Sequence, residues 1–171
     1  MKTVPIAIVG FMGCGKTAVA QMLAVILDRK VIDLDELITR QQDRTPAEII
    51  SEDGEAAFRS IETSALKELM QSGFDGVVSI GGGGWIEAAN RRLLDESGAV
   101  TVWLDAPFEV CWQRIETGRE VRPMAPTKDK ARSLFDQRQP VYRMATIRVA
   151  TGSEDSLEGL VARVRTAIES S

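Results

Sequence analysis

The residues with the clearest chemical potential form the segment GFMGCGKT, Gly10 to Thr17. It matches the pattern G-x-x-x-x-G-K-[ST], with the apolar run IAIV before it and an amphipathic helical pattern after it. Glycines let successive backbone N–H groups point at phosphate oxygens, and a helix N-terminus adds partial positive charge. We therefore expect a phosphate-binding loop in which Lys16 reaches the outer phosphates and the Thr17 hydroxyl ligates Mg²⁺. An ordinary strand-to-helix turn is the alternative, but it does not require Lys and Thr after its last glycine.

Two carboxylates, Asp33 and Asp35, follow the strand-like run KVIDL. In an open α/β sheet, sites form at the carboxyl ends of strands, so this pair would lie near the phosphate loop. A Mg²⁺ ion beside phosphates needs outer-shell carboxylates, and a hydroxyl that is phosphorylated needs an acceptor for its proton. The pair could supply both. Taken alone, it also fits an Asp35 that caps the next helix and an Asp33 exposed at the strand end.

The segment FRSIE, Phe58 to Glu62, lies in a helical pattern. Arg59 and Glu62 are three residues apart, so they share one face of that helix. On this spacing alone, a surface ion pair is the better interpretation.

Four arginines lie in or around the segment TGREVRPMAPTKD, residues 117 to 129: Arg114, Arg119, Arg122 and Arg138. The segment is charged, has no strong periodicity and carries two prolines, so we expect a surface loop that acts as a lid, about residues 118 to 127. Arginines on such a loop neutralise transferring phosphate in many enzymes, whereas a solvated charged face is the alternative.

The segment VVSIGGGGWIE ends a strand-like run in four glycines, Gly81 to Gly84. Many nucleotide-hydrolysing proteins place a carboxylate there that helps to hold Mg²⁺. Bare peptide instead leaves room where side chains would otherwise stand. The carboxylates that could serve this role are therefore expected at the end of the second strand instead.

The elements that must position these residues alternate along the chain. The strand-like runs are VPIAIV, KVIDL, GVVSI, AVTVWL and TIRVA, with helical patterns between them and after the last. This order predicts an α/β fold with a parallel sheet covered by helices on both faces. Thr45, Pro46 and Glu48 predict a capped helix start, and a longer helix is expected from about Glu55 to Met70, ending near Gly73.

Composition narrows the class of protein further. The 171 residues fit one domain, and 44% hydrophobic with 27% charged residues is typical of a globular chain. A formal net charge of -4 argues against nucleic acid and anionic membranes as partners. The chain has no histidine, which excludes histidine metal sites and Ser-His or Cys-His nucleophiles. The distant Cys14 and Cys111 lack metal-site spacing and indicate a reduced, cytoplasmic protein. No segment is long enough to span a membrane.

Together, GFMGCGKT, DLDEL, FRSIE, IGGGG, VRPM and QRQPVYRMA, in this order, resemble shikimate kinase over nearly the whole chain. The resemblance implies a single three-layer αβα P-loop domain over residues 1–171, with strand order 2-3-1-4-5, substrate-binding helices over about 33–62 and a short lid. It implies transfer of the γ-phosphate of ATP to the 3-hydroxyl of shikimate, in the shikimate pathway to chorismate and aromatic amino acids. ATP and shikimate would be the partners, Mg²⁺ the cofactor, and the protein a monomer.

The resemblance also implies residue roles. Lys16, Asp35 and Arg122 would be catalytic, with Asp35 orienting or deprotonating the attacking hydroxyl. Thr17 and, through water, Asp33 would hold Mg²⁺. The other ATP-binding residues would be Gly13, Cys14, Gly15, Ala18 and Arg114, with Arg114 lying against adenine. Shikimate would contact Asp35, Arg59, Glu62, Gly81, Gly82, Gly83 and Arg138, with Arg59 and Arg138 clamping its carboxylate.

The chain departs from the family pattern in three places. Met124 and Ala125 stand where two leucines are usual, the stretch from Arg122 to Arg138 is a few residues shorter, and Gly84 and Trp85 are atypical. Two other functions stay open at this point: a kinase of another small hydroxy acid, and a regulatory module that binds ATP or shikimate without turnover.

Overall fold

The computed structural model describes residues 3–118 and 124–171. Its strands are β1 (Ile6–Val9), β2 (Val31–Asp33), β3 (Val77–Ser79), β4 (Val100–Asp105) and β5 (Ile147–Ala150). They form one sheet in the order β2-β3-β1-β4-β5, and every neighbouring pair is parallel. The predicted parallel α/β sheet and its strand order are confirmed.

The helices are α1 (Lys16–Leu27), α2 (Leu34–Gln42), α3 (Pro46–Asp53), α4 (Glu55–Gln71), α5 (Ala88–Glu96), α6 (Phe108–Thr117), α7 (Lys128–Tyr142) and α8 (Leu157–Glu169). Helix α3 begins with the predicted capping box, in which the Thr45 hydroxyl accepts from the Glu48 N–H and the Glu48 carboxylate accepts from the Thr45 N–H. Helix α4 covers the predicted span, and Gly73 follows it with φ of 76°.

The core surrounds the central strand. All four residues of β1 are buried, as expected of a parallel strand covered on both faces. The largest fully buried side chains are Trp85, Trp103 and Tyr142. No helix in the described ranges is both long and apolar enough to cross a bilayer.

The sheet order explains how distant segments meet. Strand β3 lies between β2 and β1, so the carboxyl ends of these three strands are adjacent. The phosphate-loop segment follows β1, the pair Asp33 and Asp35 follows or ends β2, and the glycine run follows β3. One edge of the sheet therefore collects the predicted site.

Candidate active site

The loop between β1 and α1 depends on glycine for its backbone conformation. Gly10, Gly13 and Gly15 have positive φ values of 144°, 78° and 98°. A Cβ on Gly13 would lie 2.6 Å from the Cys111 carbonyl oxygen, so this turn has neither the torsion nor the space for a side chain. Within residues 3–118 and 124–171, no side chain caps the start of α1 at Gly15, so the N–H groups of its first turn can bind an anion.

Lys16 is almost fully buried and folds back over this loop. Its Nζ donates to the Phe11 carbonyl oxygen at 3.0 Å and lies 4.0 Å from the Cys14 Sγ. The Cys14 side chain is fully buried, which favours its interpretation as a small packing residue. Arg114, on α6, donates from Nη1 to the Gly13 carbonyl at 3.2 Å and so lies beside the loop.

Asp33 joins the phosphate loop to the second strand end. Its Oδ2 accepts from the Thr17 hydroxyl at 2.8 Å, and its Oδ1 accepts from the N–H groups of Asp35 at 3.0 Å and Glu36 at 3.4 Å. Asp33 is therefore the cap of α2. The alternative in which Asp35 capped this helix is wrong, and so is an Asp33 that only faces solvent.

Asp35 lies in the first turn of α2 and faces the glycine run. A Cβ built on Gly81 would be 3.2 Å from Asp35 Oδ1 and 3.3 Å from Oδ2. Because Asp33 does the capping, the Asp35 carboxylate is directed into the space between the strand ends.

Arg59 and Glu62 form an ion pair that is more buried than its spacing alone indicates. Arg59 donates from Nη1 to Glu62 Oε2 at 2.9 Å and from Nη2 to Glu55 Oε1 at 3.3 Å. The Glu62 side chain is fully buried, so the interpretation as a surface pair is wrong. Burial raises the pKa of Glu62 to about 7, against the opposing effect of Arg59, and the charges of Asp35 and Glu87 raise it further.

The run Gly81 to Gly84 needs glycine because neighbouring atoms lie close to where a Cβ would stand, not because its backbone torsions require glycine. None of the four glycines from Gly81 to Gly84 has a positive φ. A Cβ on Gly83 would overlap the Arg59 guanidinium, and one on Gly84 would lie 2.8 Å from Glu62 Oε1. On Gly82 it would lie 3.4 Å from Arg138 Nη1 and 3.2 Å from the Met12 nitrogen. Charged side chains from three helices thus pack directly onto bare backbone.

Arg138 is buried within α7, and within the described ranges its Nη1 has no hydrogen-bond partner. Tyr142, four residues later, donates its hydroxyl to the Gly82 carbonyl oxygen at 2.6 Å. Burial raises the pKa of Tyr142 above its ordinary value. Sequence reasoning missed Tyr142, although its spacing from Arg138 places both on one helix face.

A cleft of about 980 Å³ opens along this edge of the sheet. Lys16, Thr17, Asp33, Asp35 and Gly82 contribute to its wall, together with Met12, Gly13, Gly15, Ala18, Ser79, Gly81 and Arg114. A further side of the wall comes from α2 and the start of α3, within the predicted substrate-binding helices over about 33–62: Glu36, Thr39, Arg40, Thr45, Pro46 and Ala47. The phosphate loop, Asp35 and two glycines of the run after β3 thus line one cleft.

Some predicted residues lie beside this cleft rather than on its wall. Arg59 lines an adjacent open groove of about 800 Å³ with Glu55, Ala56, Ser60, Thr63 and Glu87. Arg138 and Glu62 are buried against the glycine run. Arg119 and Arg122, with half of the predicted lid, residues 119 to 123, lie outside the described residues. Of the atypical positions after them, Met124 is half-buried and Ala125 is buried.

The donor set fits Mg²⁺ bound together with phosphate. Thr17 and Asp33 offer hard oxygen atoms that already lie 2.8 Å apart. In the part of the chain that the structure describes, no three His, Cys, Asp or Glu side chains form a cluster that could hold a metal alone. A Mg²⁺ ion here would therefore take its remaining ligands from phosphate and water.

The parallel sheet, the glycine loop with Lys and Thr, and the facing carboxylate define a P-loop kinase. The family model described as shikimate kinase matches residues 12–169. The chain belongs to the shikimate kinase family. A shikimate kinase from Cereibacter sphaeroides is 40% identical over 95% of this chain and 81% of its own length. One from Ruegeria pomeroyi is 38% identical over 95% of this chain and 84% of its own.

Solved structures agree with this assignment. A shikimate kinase from Acinetobacter baumannii in complex with shikimate superposes with a TM-score of 0.91 at 33% identity, covering 98% of this chain and 94% of that one. A gluconokinase from Sinorhizobium meliloti reaches 0.65 at 19% identity over 98% of this chain and 95% of its own, which shows the fold alone. The predicted family, fold class and kinase activity are confirmed.

Proposed function

We propose that this chain transfers the γ-phosphate of ATP to the 3-hydroxyl of shikimate. The observation that carries the proposal is the cleft itself, whose wall includes Lys16 and Thr17 of the phosphate loop together with Asp35. Family membership and the likeness to a structure solved with shikimate support the same acceptor.

On the nucleotide side, the backbone from Gly13 to Ala18 would hold the phosphates at the N-terminus of α1. Lys16 would leave the Phe11 carbonyl and turn towards the outer phosphates. Thr17 would ligate Mg²⁺ directly and Asp33 through water, since their oxygens are already adjacent. The metal, when bound, supplies charge neutralisation at the phosphates. Arg114, beside Gly13, would lie against adenine.

On the acceptor side, Asp35 would bind the hydroxyls of shikimate and accept the proton of the one that attacks. Arg59 and Arg138 would hold the carboxylate, because a guanidinium offers two parallel donors to it. Nη1 of Arg138 has no hydrogen-bond partner among the described residues, and this supports the role, since a buried donor is costly without an acceptor. Glu62 would hold Arg59 in place, and Gly81, Gly82 and Gly83 would lie against the ring.

The chemistry needs positioning and charge neutralisation rather than a covalent intermediate. Asp35 takes the proton, and Lys16 stabilises the charge on the phosphoryl group in transit. Arg122, outside the described residues, is proposed to add positive charge from the lid segment, residues 118 to 127. We further propose a single-domain, monomeric, cytoplasmic enzyme whose partners are ATP and shikimate, with no nucleic acid and no membrane.

A turnover assay with ATP, Mg²⁺ and a panel of acceptor acids tests the proposal. Phosphorylation of shikimate in strong preference to gluconate and other hydroxy acids is expected. Replacing Asp35→Asn should lower kcat by roughly 10²–10⁴-fold, the range for a lost general base. The exposed Asp136→Asn, which removes only a surface pair with Arg132, serves as the matched control. Binding of ATP or shikimate without turnover would favour a regulatory module, and a preference for another acid would overturn the acceptor.

A further inference from the structure

Tyr142 is the only tyrosine in the chain. It lies on the acceptor side of the site, near Arg138 and the glycine run. Its side chain is fully buried and stacks on Trp103, with ring centroids 6.1 Å apart and planes inclined by 22°. Stacking fixes the ring, so the direction of the hydroxyl is set by the core of the protein rather than by the cleft.

The hydroxyl of Tyr142 has two polar neighbours. It donates to the Gly82 carbonyl at 2.6 Å, and the Arg138 guanidinium lies near enough to oppose the rise in the Tyr142 pKa that burial causes. Arg138 in turn lies against Gly82, since a Cβ there would be 3.4 Å from its Nη1. The hydroxyl and the guanidinium thus meet at the same peptide.

The last turn of α7 is held in place by side-chain hydrogen bonds. Pro140 lies inside this helix and has no N–H, so the helix lacks the backbone hydrogen bond that position 140 would otherwise donate to the Asp136 carbonyl. The Trp85 Nε1 donates to the Val141 carbonyl at 2.9 Å, and the Tyr142 hydroxyl reaches Gly82. Both bonds fasten the last turn of α7 to the glycine run.

We propose that Tyr142 is a positioning residue for acceptor binding: its hydroxyl holds the Arg138 guanidinium against Gly82, with Nη1 left available for the acceptor carboxylate. The inference rests on the proposed function and extends it to a residue that does not touch the substrate. It requires only that the hydroxyl accept a hydrogen bond from Arg138 and at the same time donate one to the Gly82 carbonyl, and a tyrosine hydroxyl can do both.

The first test is Tyr142→Phe, which keeps the stacked ring and removes the oxygen. We expect KM for shikimate to rise roughly three- to tenfold, the effect of one lost hydrogen bond, with KM for ATP unchanged. In an Arg138→Lys background the same substitution should add little, because the two residues act as a unit. An unchanged KM for shikimate, or fully additive effects, would overturn the proposal.

The matched control is Thr101→Val, which also deletes one buried hydroxyl. Thr101 lies near the amino end of β4, away from the strand ends that form the cleft, and bonds Thr146 at 3.0 Å. It should lower the melting temperature without changing KM for shikimate. If both variants raise KM for shikimate equally, Tyr142 has only a structural role.

The main readout of the second test uses the native sequence. Because the chain has one tyrosine, growth on 3-fluorotyrosine labels position 142 alone. The ¹⁹F resonance should shift on adding shikimate, and this response should be lost in Arg138→Lys. A resonance that ignores saturating shikimate would overturn the proposal. The two proposals can be told apart. If the wild type phosphorylates shikimate and Arg138→Lys weakens shikimate binding, but neither Tyr142 test gives the expected result, the proposed function stands and the inference on Tyr142 is wrong.

Discussion

Two glycine-rich segments contribute to the wall of the cleft, and they need glycine for different reasons. In the phosphate loop, Gly10, Gly13 and Gly15 adopt positive φ, a conformation encoded by the local sequence. In the glycine run after β3, φ is not positive, but a side chain from α2, α4 or α7 lies within 3.4 Å of the position of each missing Cβ. The first segment is a local backbone motif, whereas the second exists only in the assembled fold.

This difference separates two kinds of sensitivity to mutation. Changes in the phosphate loop should affect nucleotide binding and folding together, because its shape is part of the core. Changes around the glycine run should affect acceptor binding through charged side chains, with little effect on nucleotide binding.

The largest expected effect is on the carboxylate clamp. Arg59→Lys or Arg138→Lys should weaken shikimate binding by about 2–5 kcal/mol, because a lysine cannot reproduce the two-pronged contact of a guanidinium. ATP affinity should stay the same. Calorimetry measures both, with Arg165→Lys in an exposed pair on α8 as control. Unchanged shikimate affinity in both variants would exclude the clamp.

On the opposite side, Lys16→Met should lower kcat by about 10²–10³-fold, the usual result of removing one group that stabilises transition-state charge. Steady-state kinetics should show shikimate affinity retained. Lys128→Met, in an exposed pair with Glu109, is the matched control. Equal loss in both variants would mean that Lys16 has no particular role.

A pair of glycine substitutions tests the comparison directly. Gly13→Ala should reduce both thermal stability and ATP affinity, because it combines positive φ with a 2.6 Å approach to the Cys111 carbonyl. Gly83→Ala should chiefly displace Arg59, at roughly 1–3 kcal/mol of overpacking. We expect a higher KM for shikimate and an unchanged KM for ATP in that variant. Loss of ATP binding in Gly83→Ala would remove the distinction between the two segments.

Glu62 gives the acceptor side a dependence on pH. Its pKa is about 7 in the folded protein against 4.5 for a free side chain, so the folded state binds more protons between these values. The contribution of Glu62 to the free energy of unfolding therefore falls as pH rises from about 4.5 to 7, by roughly 3 kcal/mol at most. Arg59, Asp35 and Glu87 are the charged groups that act on it.

Urea unfolding across this range, in wild type and Glu62→Gln, measures the effect. The variant should show a flatter dependence on pH because glutamine does not titrate. Identical slopes in the two proteins would indicate an ordinary pKa for Glu62.

The smallest effect is expected at the thiols. Cys14 and Cys111 are both buried, and burial raises the pKa of Cys111 to about 12, so neither should react quickly with iodoacetamide. Cys14→Ser should keep nearly full activity. Mass spectrometry of the labelled protein checks this, with the unfolded chain as the fully reactive reference. Rapid labelling of Cys14 in the folded protein would contradict its burial, and ATP protection would then locate the thiol within the nucleotide site.

Sequence reasoning predicted the features that depend on neighbouring residues. The five strands, the start of α3 at its capping box and the span of α4 all follow from local patterns, and the structure agrees. The strand order came from the family resemblance rather than from periodicity. The phosphate loop was predicted because its torsions are set by its own glycines.

Features that depend on the assembled fold were missed or misread. The spacing of Arg59 and Glu62 predicted a surface pair, because spacing carries no information on what packs over a helix face. Tyr142 escaped notice since its partner Gly82 lies sixty residues away in sequence. Asp33 capping α2 was equally uncertain, as either aspartate could cap until the helix start at Leu34 was known.

Gly82 touches both halves of the site, lying against the Met12 nitrogen of the phosphate loop and against Arg138 of the acceptor side. A side chain there would disturb the binding of nucleotide and acceptor at the same time. New acceptor preferences in a chain of this kind should therefore evolve through the wall formed by Thr39, Arg40 and Thr45, which belongs to α2 and the start of α3 and to neither glycine segment. A directed-evolution library for other hydroxy acids should randomise that wall and keep the glycine run fixed.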